Sequence, residues 1–474
     1  MKIRLFAAAL AMSAASINIV APASDAAGPS ESQISKTTKI TRGPFVATNG
    51  NVSVVTWVES VGEDASRVMA STKVGSAAWS KGSEIAGVEW SRWTNPMPAV
   101  TASGRIFVAW TDDEDIRFRE RTVAGAWTSE AALPGSTFDG QWQDDLDVVA
   151  NGEVITVVAA HSMSTTLSVI SWTRQSVADS FVSQPVADVP SGSELGTCNL
   201  TTIEACRYGI FDLRLAKNSA GVQAVVFLTH RDSANWDLPG SRFAITSVVR
   251  SSTSTDWQSP KLLDSMVPTS KDTMGYAYFL DGIVITPNGK VAVAWSRGLE
   301  STGYEARVAV KSSGSETFVL QDTSVFRSGY ATSNAQLGVV GNSLFVAYKA
   351  IAKASSDPIQ KFGSVGNLTK TGKTLSLDAN WDVQSVFSKD GDLTVLLAPD
   401  RDTKNTGAWT SSRKTDGTWT SPTKRSLTTP AFFYGLSDAF DLAITGTEQF
   451  MVFSKQSGTC PNCTKVGIFA TNFK

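Results

Sequence analysis

The sequence predicts an all-β protein, a single β-propeller domain of eight four-stranded blades, with seven blades as the alternative count. Three observations carry this. A strand, a small-residue turn with glycine and a second, almost continuously apolar strand recur at Val46–Trp57, Ala99–Trp110 and Ile283–Trp295. The turn glycines Gly50, Gly104, Gly152, Gly221, Gly289, Gly341, Gly391 and Gly446 are spaced by 54, 48, 69, 68, 52, 50 and 55 residues. No long segment after the N-terminal stretch shows the 3.6-residue periodicity of a helix. One four-stranded sheet cannot bury both of its faces, whereas a ring of sheets can. Continuously apolar second strands fit sheets covered on both sides.

Taken in order, the first element is an address. Lys2 and Arg4 precede an apolar run from Leu5 to Val20, followed by small-residue cleavage sites at Ala21-Pro22-Ala23 and Ser24-Asp25-Ala26. Residues 1–26 read as a secretory signal peptide, which leaves 27–474 as the propeller and implies bacterial export. No later run approaches the roughly 20 apolar residues of a membrane helix, so no membrane span is expected. The chain carries 42 basic and 44 acidic residues, which excludes an overall basic field for nucleic acid. With two histidines, His161 and His230, a three-histidine metal site cannot be built. No metal or cofactor motif is present, and a monomer is expected.

Each unit then continues with a polar loop, a third strand and a fourth of the form x-Trp-[Ser/Thr/Gln]. Examples are Ala126-Trp127-Thr128, Asp256-Trp257-Gln258 and Thr418-Trp419-Thr420. The last unit has room for two strands after its turn, Gln449–Lys455 and Lys465–Thr471, and lacks its outermost one. Ile34–Ile40 is expected to supply it, so that the N-terminus closes the last blade and removes an exposed sheet edge. Export favours two disulfides among Cys198, Cys206, Cys460 and Cys463. The local pairs Cys198–Cys206 and Cys460–Cys463 are the simplest of three connectivities.

The closing strands, best seen in Thr415-Asp-Gly-Thr-Trp-Thr-Ser-Pro422, resemble those of secreted bacterial sialidase-like propellers with Asp-box repeats. In that family the box reads Ser-x-Asp-x-Gly-x-x-Trp, whereas Asp416 and Gly417 are adjacent here. The resemblance implies the propeller fold and brings a glycoside hydrolase of the sialidase type among the readings.

In such a blade the glycine turns share one face, and the long connections share the other. Turns such as Asn49-Gly50 and Asn288-Gly289 are tight and have little room for a site. The extra length of the third and fourth units falls in Val189–Gly209, His230–Ser241 and Met266–Asp281, on the connection face. Nine tryptophans read as strand packing: Trp57, Trp110 and Trp295 on second strands, Trp172 and Trp409 on third, and Trp79, Trp127, Trp257 and Trp419 on fourth. Trp90, Trp93, Trp142, Trp236 and Trp381 read as loop residues of the connection face, joined by Tyr208, Tyr276, Tyr278 and Tyr434. Aromatic platforms of this kind suit sugar rings.

Counting seven to nine residues back from each turn glycine gives Arg42, Asn95, Asp145, Asp212, Asp281, Asn334, Asp382 and Asp438, a polar ring around the channel mouth. Such groups can bind a sugar or act as acid and base, and they also commonly bond nearby backbone. His161 and His230 are expected just after second strands of adjacent blades, where a histidine suits base chemistry at neutral pH. Asp112–Asp115 and Asp144–Asp147 read as solvated acidic loops. One sector gathers the candidate ligand-binding residues Trp142, Asp145, Tyr208, Asp212, His230, Trp236, Tyr276, Tyr278 and Asp281. Within it His230 and Asp212, with His161, are the catalytic candidates. The leading reading is an exported propeller that binds a carbohydrate or other extracellular ligand. A glycoside hydrolase or polysaccharide lyase on the same face, or a protein-interaction disc, are the alternatives.

Overall fold

The computed structural model describes residues 31–35, 40–62, 65–89, 94–112, 115–137, 142–162, 166–190, 206–233, 242–266, 278–299, 303–321, 330–352, 358–364, 374–375, 381–389, 392–399, 408–414, 418–425, 440–444, 449–457 and 464–472. Among them there is no helix. The strands form eight antiparallel sheets of four, and seven of these use four consecutive strands. The architecture is a β-propeller. The inner strands of the eight blades are Ile40–Thr48, Met97–Val100, Trp142–Asn151, Cys206–Lys217, Tyr278–Ile285, Tyr330–Val340, Trp381–Lys389 and Phe440–Ile444.

The eighth sheet is made from both ends of the sequence. Glu31–Gln33 pairs antiparallel with Thr464–Asn472 as its outermost strand. The N-terminal segment therefore closes the last blade, as expected, but its strand lies earlier than Ile34–Ile40. Ile34 and Ser35 only continue the contact, each directing its N–H to the Ile468 carbonyl, at 2.8 and 3.4 Å. Ile40 already begins the inner strand of the first blade. The cause is length: three paired residues finish the edge, and the chain must then cross to the channel.

Second strands carry the core because each of their faces meets a neighbouring blade. In Val52–Ser60, Val52 and Val54 face the second blade, while Val55 and Trp57 face the eighth. In the next blade Ile106, Val108 and Trp110 face back to the first, and Phe107 and Ala109 face on to the third. The period-two alternation of a strand thus divides one apolar run between two interfaces. Such clusters occupy every junction around the ring, including the closure between the seventh and eighth blades at Leu396, Ala408, Met451 and Phe453. Each fully buried Val or Phe contributes about 1.5–3 kcal/mol.

Trp57, Trp110, Trp172 and Trp295 are fully buried on second and third strands. Trp79, Trp127, Trp257, Trp409 and Trp419 are half-buried against the same clusters. The four tryptophans assigned to fourth strands precede those strands instead: the outer strand after Trp257, for instance, is Lys261–Met266. Trp127 and Trp419 sit in isolated bridges to Arg121 and Arg413.

The glycine turns also join blades. Asn49 accepts the N–H groups of Asn51 and Val52 through Oδ1 and donates through Nδ2 to the Thr101 carbonyl of the next blade at 2.7 Å. Asn218 repeats this toward Thr286 at 2.9 Å. Gly104 has φ of +87°, and a Cβ there would lie 2.9 Å from Val52 of the preceding blade, so this turn accepts only glycine.

Candidate functional site

The inner strands are irregular at the level where the sequence places its polar ring. Register shifts interrupt Ile40–Thr48, Trp142–Asn151, Cys206–Lys217, Tyr278–Ile285, Tyr330–Val340 and Trp381–Lys389. Asp145, Asp281 and Asn334 fall within these bulges, Arg42 is paired with Val58 between two of them, Asp212 lies beside one, and Asp382 precedes one by a single paired residue. An extra residue in a strand bends it and redirects a side chain. Asn95 lies just before the short inner strand Met97–Val100.

Three carboxylates on successive inner strands form an interacting group. Asp147 of the third blade accepts the Leu215 N–H of the fourth at 2.7 Å and the N–H of Val148 at 2.8 Å. Asp281 of the fifth accepts the Ala335 N–H of the sixth at 3.1 Å and the hydroxyl of Ser296 at 2.6 Å. The channel-side edge of an inner strand has no neighbouring strand, and these acids satisfy part of it. Asp212, between them, has Arg214 at 3.2 Å as its ion-pair partner. Among the described residues it accepts no backbone N–H, and its side chain keeps 22% exposure.

Burial dominates the electrostatics. It raises the Asp147 carboxyl to about 6, against the backbone N–H of Leu215, Arg214 and the N–H of Val148, with Asp212 adding to the rise. Burial raises Asp281 to about 7, against the bonds from Ser296 and Ala335, and the charge of Asp212 raises it further. Asp212 is also raised by burial, and the Arg214 guanidinium opposes this. Such an arrangement can share protons among carboxyls near neutral pH and can accept hydroxyl groups.

Asp212 and Asp281 were legible in the sequence, while Asp147 belongs to the stretch read as a solvated acidic loop. It instead sits on the inner strand, its carboxylate spent on two backbone groups. Asp145, the residue selected there, is half-buried in the bulge two positions earlier.

The histidines are corrected in place. His161 pairs with Trp142 and Ser168, and His230 with Gly209 and Phe243, so both lie inside second strands that extend past the apolar run. Trp142 and Trp381 likewise open inner strands instead of lying in loops. Tyr208 and Tyr278 are on inner strands, opposite Arg231 and Arg297. Cys206 begins the inner strand of the fourth blade. Trp90, Trp93, Trp236, Tyr276, Tyr434, Asp438, Cys198, Cys460 and Cys463 lie outside the described residues.

The glycine-turn face, read as too tight for a site, carries a cleft of about 610 Å³ between the third and fourth blades. It opens between hairpins of two blades, where turn length sets no limit. Among the described residues, no group of three or more potential ligands could hold a metal ion.

No family model matches the chain, and neither does any curated protein. Among solved structures it is similar to an ulvan lyase of polysaccharide lyase family PL25, with 10% identity, a TM-score of 0.44 and coverage of 80% of this chain and 91% of that one. It is similar to the β-propeller domain of the trilobed protease from Pyrococcus furiosus, with 7% identity, a TM-score of 0.39 and coverage of 81% and 97%. It is also similar to the Hadza microbial sialidase Hz136, with 11% identity, a TM-score of 0.38 and coverage of 86% and 73%. At these identities the likeness concerns the fold.

Proposed function

We propose that this chain is an exported carbohydrate-binding propeller whose ligand contacts the inner strands of the third to fifth blades. The observation that carries the reading is the interacting carboxylates Asp147, Asp212 and Asp281, with Arg214 beside the first two. Sugar hydroxyls donate well to carboxylates, and a guanidinium offers planar paired donors in return. Asp212 is the residue best placed to meet a ligand, because among the described residues its oxygens accept no backbone N–H. The aromatic residues Trp142, Tyr208 and Tyr278 lie on the same three inner strands, with Trp236 and Tyr276 in the adjoining sequence.

The test is equilibrium binding to a panel of neutral and acidic glycans, comparing the native chain with Asp212→Asn. Binding by the native chain and a loss of tenfold or more in a folded variant supports the reading. Equal binding by both, or none across the panel, refutes it.

One observation favours a catalytic second reading. A carboxyl near 7 is about half protonated at neutral pH, so Asp281 can serve as a general acid beside Asp212. Assays of reducing-end release and of unsaturated uronate formation separate a hydrolase or lyase from a binder. Turnover lost in Asp281→Asn with binding retained would establish the catalytic role. The catalytic candidates His161 and His230 extend the same test through their alanine variants.

A further inference from the structure

The last residue of the third strand recurs as a cation: Arg121, Arg174, Arg250 and Lys311 each pair with Ile106, Ile155, Gln223 and Val291 near the start of their second strands. Its counter-charge does not recur. Arg174 reaches back to the second blade and forms an ion pair with Glu120, which also holds Arg105 at 2.9 Å. Arg250 reaches back to the third blade in the same way. The residue in the register position of Glu120 there is Thr173, since Glu120 pairs with Phe107 and Thr173 with Thr156.

Arg250 is 7% exposed and is bound by neutral groups: the hydroxyls of Thr173 at 3.2 Å and Thr156 at 3.3 Å, and the Gln223 carbonyl oxygen. Its guanidinium lies 4.8 Å from the centre of the Trp257 ring, and Trp257 is itself held by a bond to Ser171 at 2.9 Å. Among the described residues no carboxylate pairs with it. A buried cation without an anion is costly unless something supplies one. Burial also lowers the guanidinium from its ordinary value. Arg250 lines the cleft of about 610 Å³, whose other walls include Asn151, Gln184, Ser252, Ser254 and Thr255. Asp179 is the acid among the lining residues; it is exposed and accepts a hydroxyl bond from Ser176 at 2.8 Å.

We propose that the cleft between the third and fourth blades, on the glycine-turn face, binds a sugar bearing a carboxylate or sulfate, with Arg250 as the anion-binding residue. The volume suits one or two sugar rings. The guanidinium takes the oxyanion in paired geometry, and the surrounding amides and hydroxyls take the ring hydroxyls. This site is separate from the inner-strand carboxylates, so Asp212→Asn leaves it intact.

The test is calorimetric binding of glucuronate, a glucose sulfate, glucose and inorganic sulfate to the full chain. Expected is binding of at least one acidic sugar, with glucose at least tenfold weaker. Thr173→Glu should provide the missing internal partner, abolish that binding and raise the melting temperature. Ser252→Trp, at an exposed position on the wall, should lower affinity tenfold or more without altering the melting temperature. Absence of acidic-sugar binding, equal affinity for glucose, or unchanged affinity in both variants would overturn the proposal. Sulfate ion binding as tightly as the acidic sugars would overturn its sugar component. Should Thr173→Glu fail to fold, Ser252→Trp decides the outcome.

Discussion

The carboxylate of Asp147 in the third blade accepts the backbone N–H of Leu215 in the fourth at 2.7 Å. It is a crosslink between blades, yet burial makes its charged form expensive. Asp281 makes the equivalent bond to Ala335.

The first prediction concerns pH. The folded carboxyls lie at about 6 for Asp147 and about 7 for Asp281, above the ordinary carboxylate value of 3.8. A raised acid binds its proton more tightly in the folded state. Its stabilising effect is therefore full at acid pH and is lost as pH rises from about 4 through 7. Urea unfolding of the native chain should show a decline on the order of 3 kcal/mol from Asp281 across that window. Asp281→Asn should remove that share of the slope and leave the share contributed by Asp147. An equal slope in both proteins would refute the assignment.

The turn asparagines should matter in proportion to burial. Asn218 is 6% exposed and connects Val222 to Thr286. Asn218→Ala removes the Oδ1 partner of the Val222 N–H and one of the two donors to the Thr286 carbonyl, which keeps the Gly289 N–H, and should cost about 1–2 kcal/mol. Asn49→Ala, at a more exposed turn, should cost about half as much. Thermal unfolding of the two variants checks the order.

Glu120 holds Arg105 and Arg174 together. Glu120→Ala strands two largely buried guanidinium groups and should destabilise by about 3–5 kcal/mol. A double change with Arg174→Met should recover part of the loss. Chemical denaturation of the single and double variants measures the coupling.

The outer strand of the eighth blade provides a further test. Ile34 is buried among Trp57, Val452 and Ile468. Ile34→Ala should cost about 2–4 kcal/mol. Removal of residues 31–35 should, in addition, bare the edge of Thr464–Asn472 and cause self-association detectable by light scattering. A monomeric and equally stable truncation would show that this edge needs no cover.

The ring was legible because glycine turns and apolar second strands repeat along the sequence. The level of the acidic group was legible too, since distance from the turn glycine locates Asp212 and Asp281. Asp147 was displaced from that count because the bulge after Trp142 takes up several residues before pairing resumes at Leu146. Strand parity cannot be counted through such an interruption. His161 and His230 looked like loop residues because their strands outlast their apolar stretch. The cleft at Arg250 depends on what stands opposite in the neighbouring blade. Its trace in the sequence is the contrast between Glu120 and Thr173, which becomes meaningful once third strands are aligned by register.

The eighth blade also imposes an order on assembly. The bond from the Ile468 N–H to the Ser35 hydroxyl spans 433 residues, so it cannot form until the strand near the C-terminus has been synthesised. Until then the first blade presents Val55 and Trp57 on a face with no partner. Such delayed, long-range pairing slows folding and leaves apolar surface open to wrong associations. A nascent chain that exposes this face for the whole of translation has reason to depend on chaperones, and an amino-terminal fusion that hinders residues 31–35 should lower the yield of folded protein more than a carboxy-terminal one placed after the last strand.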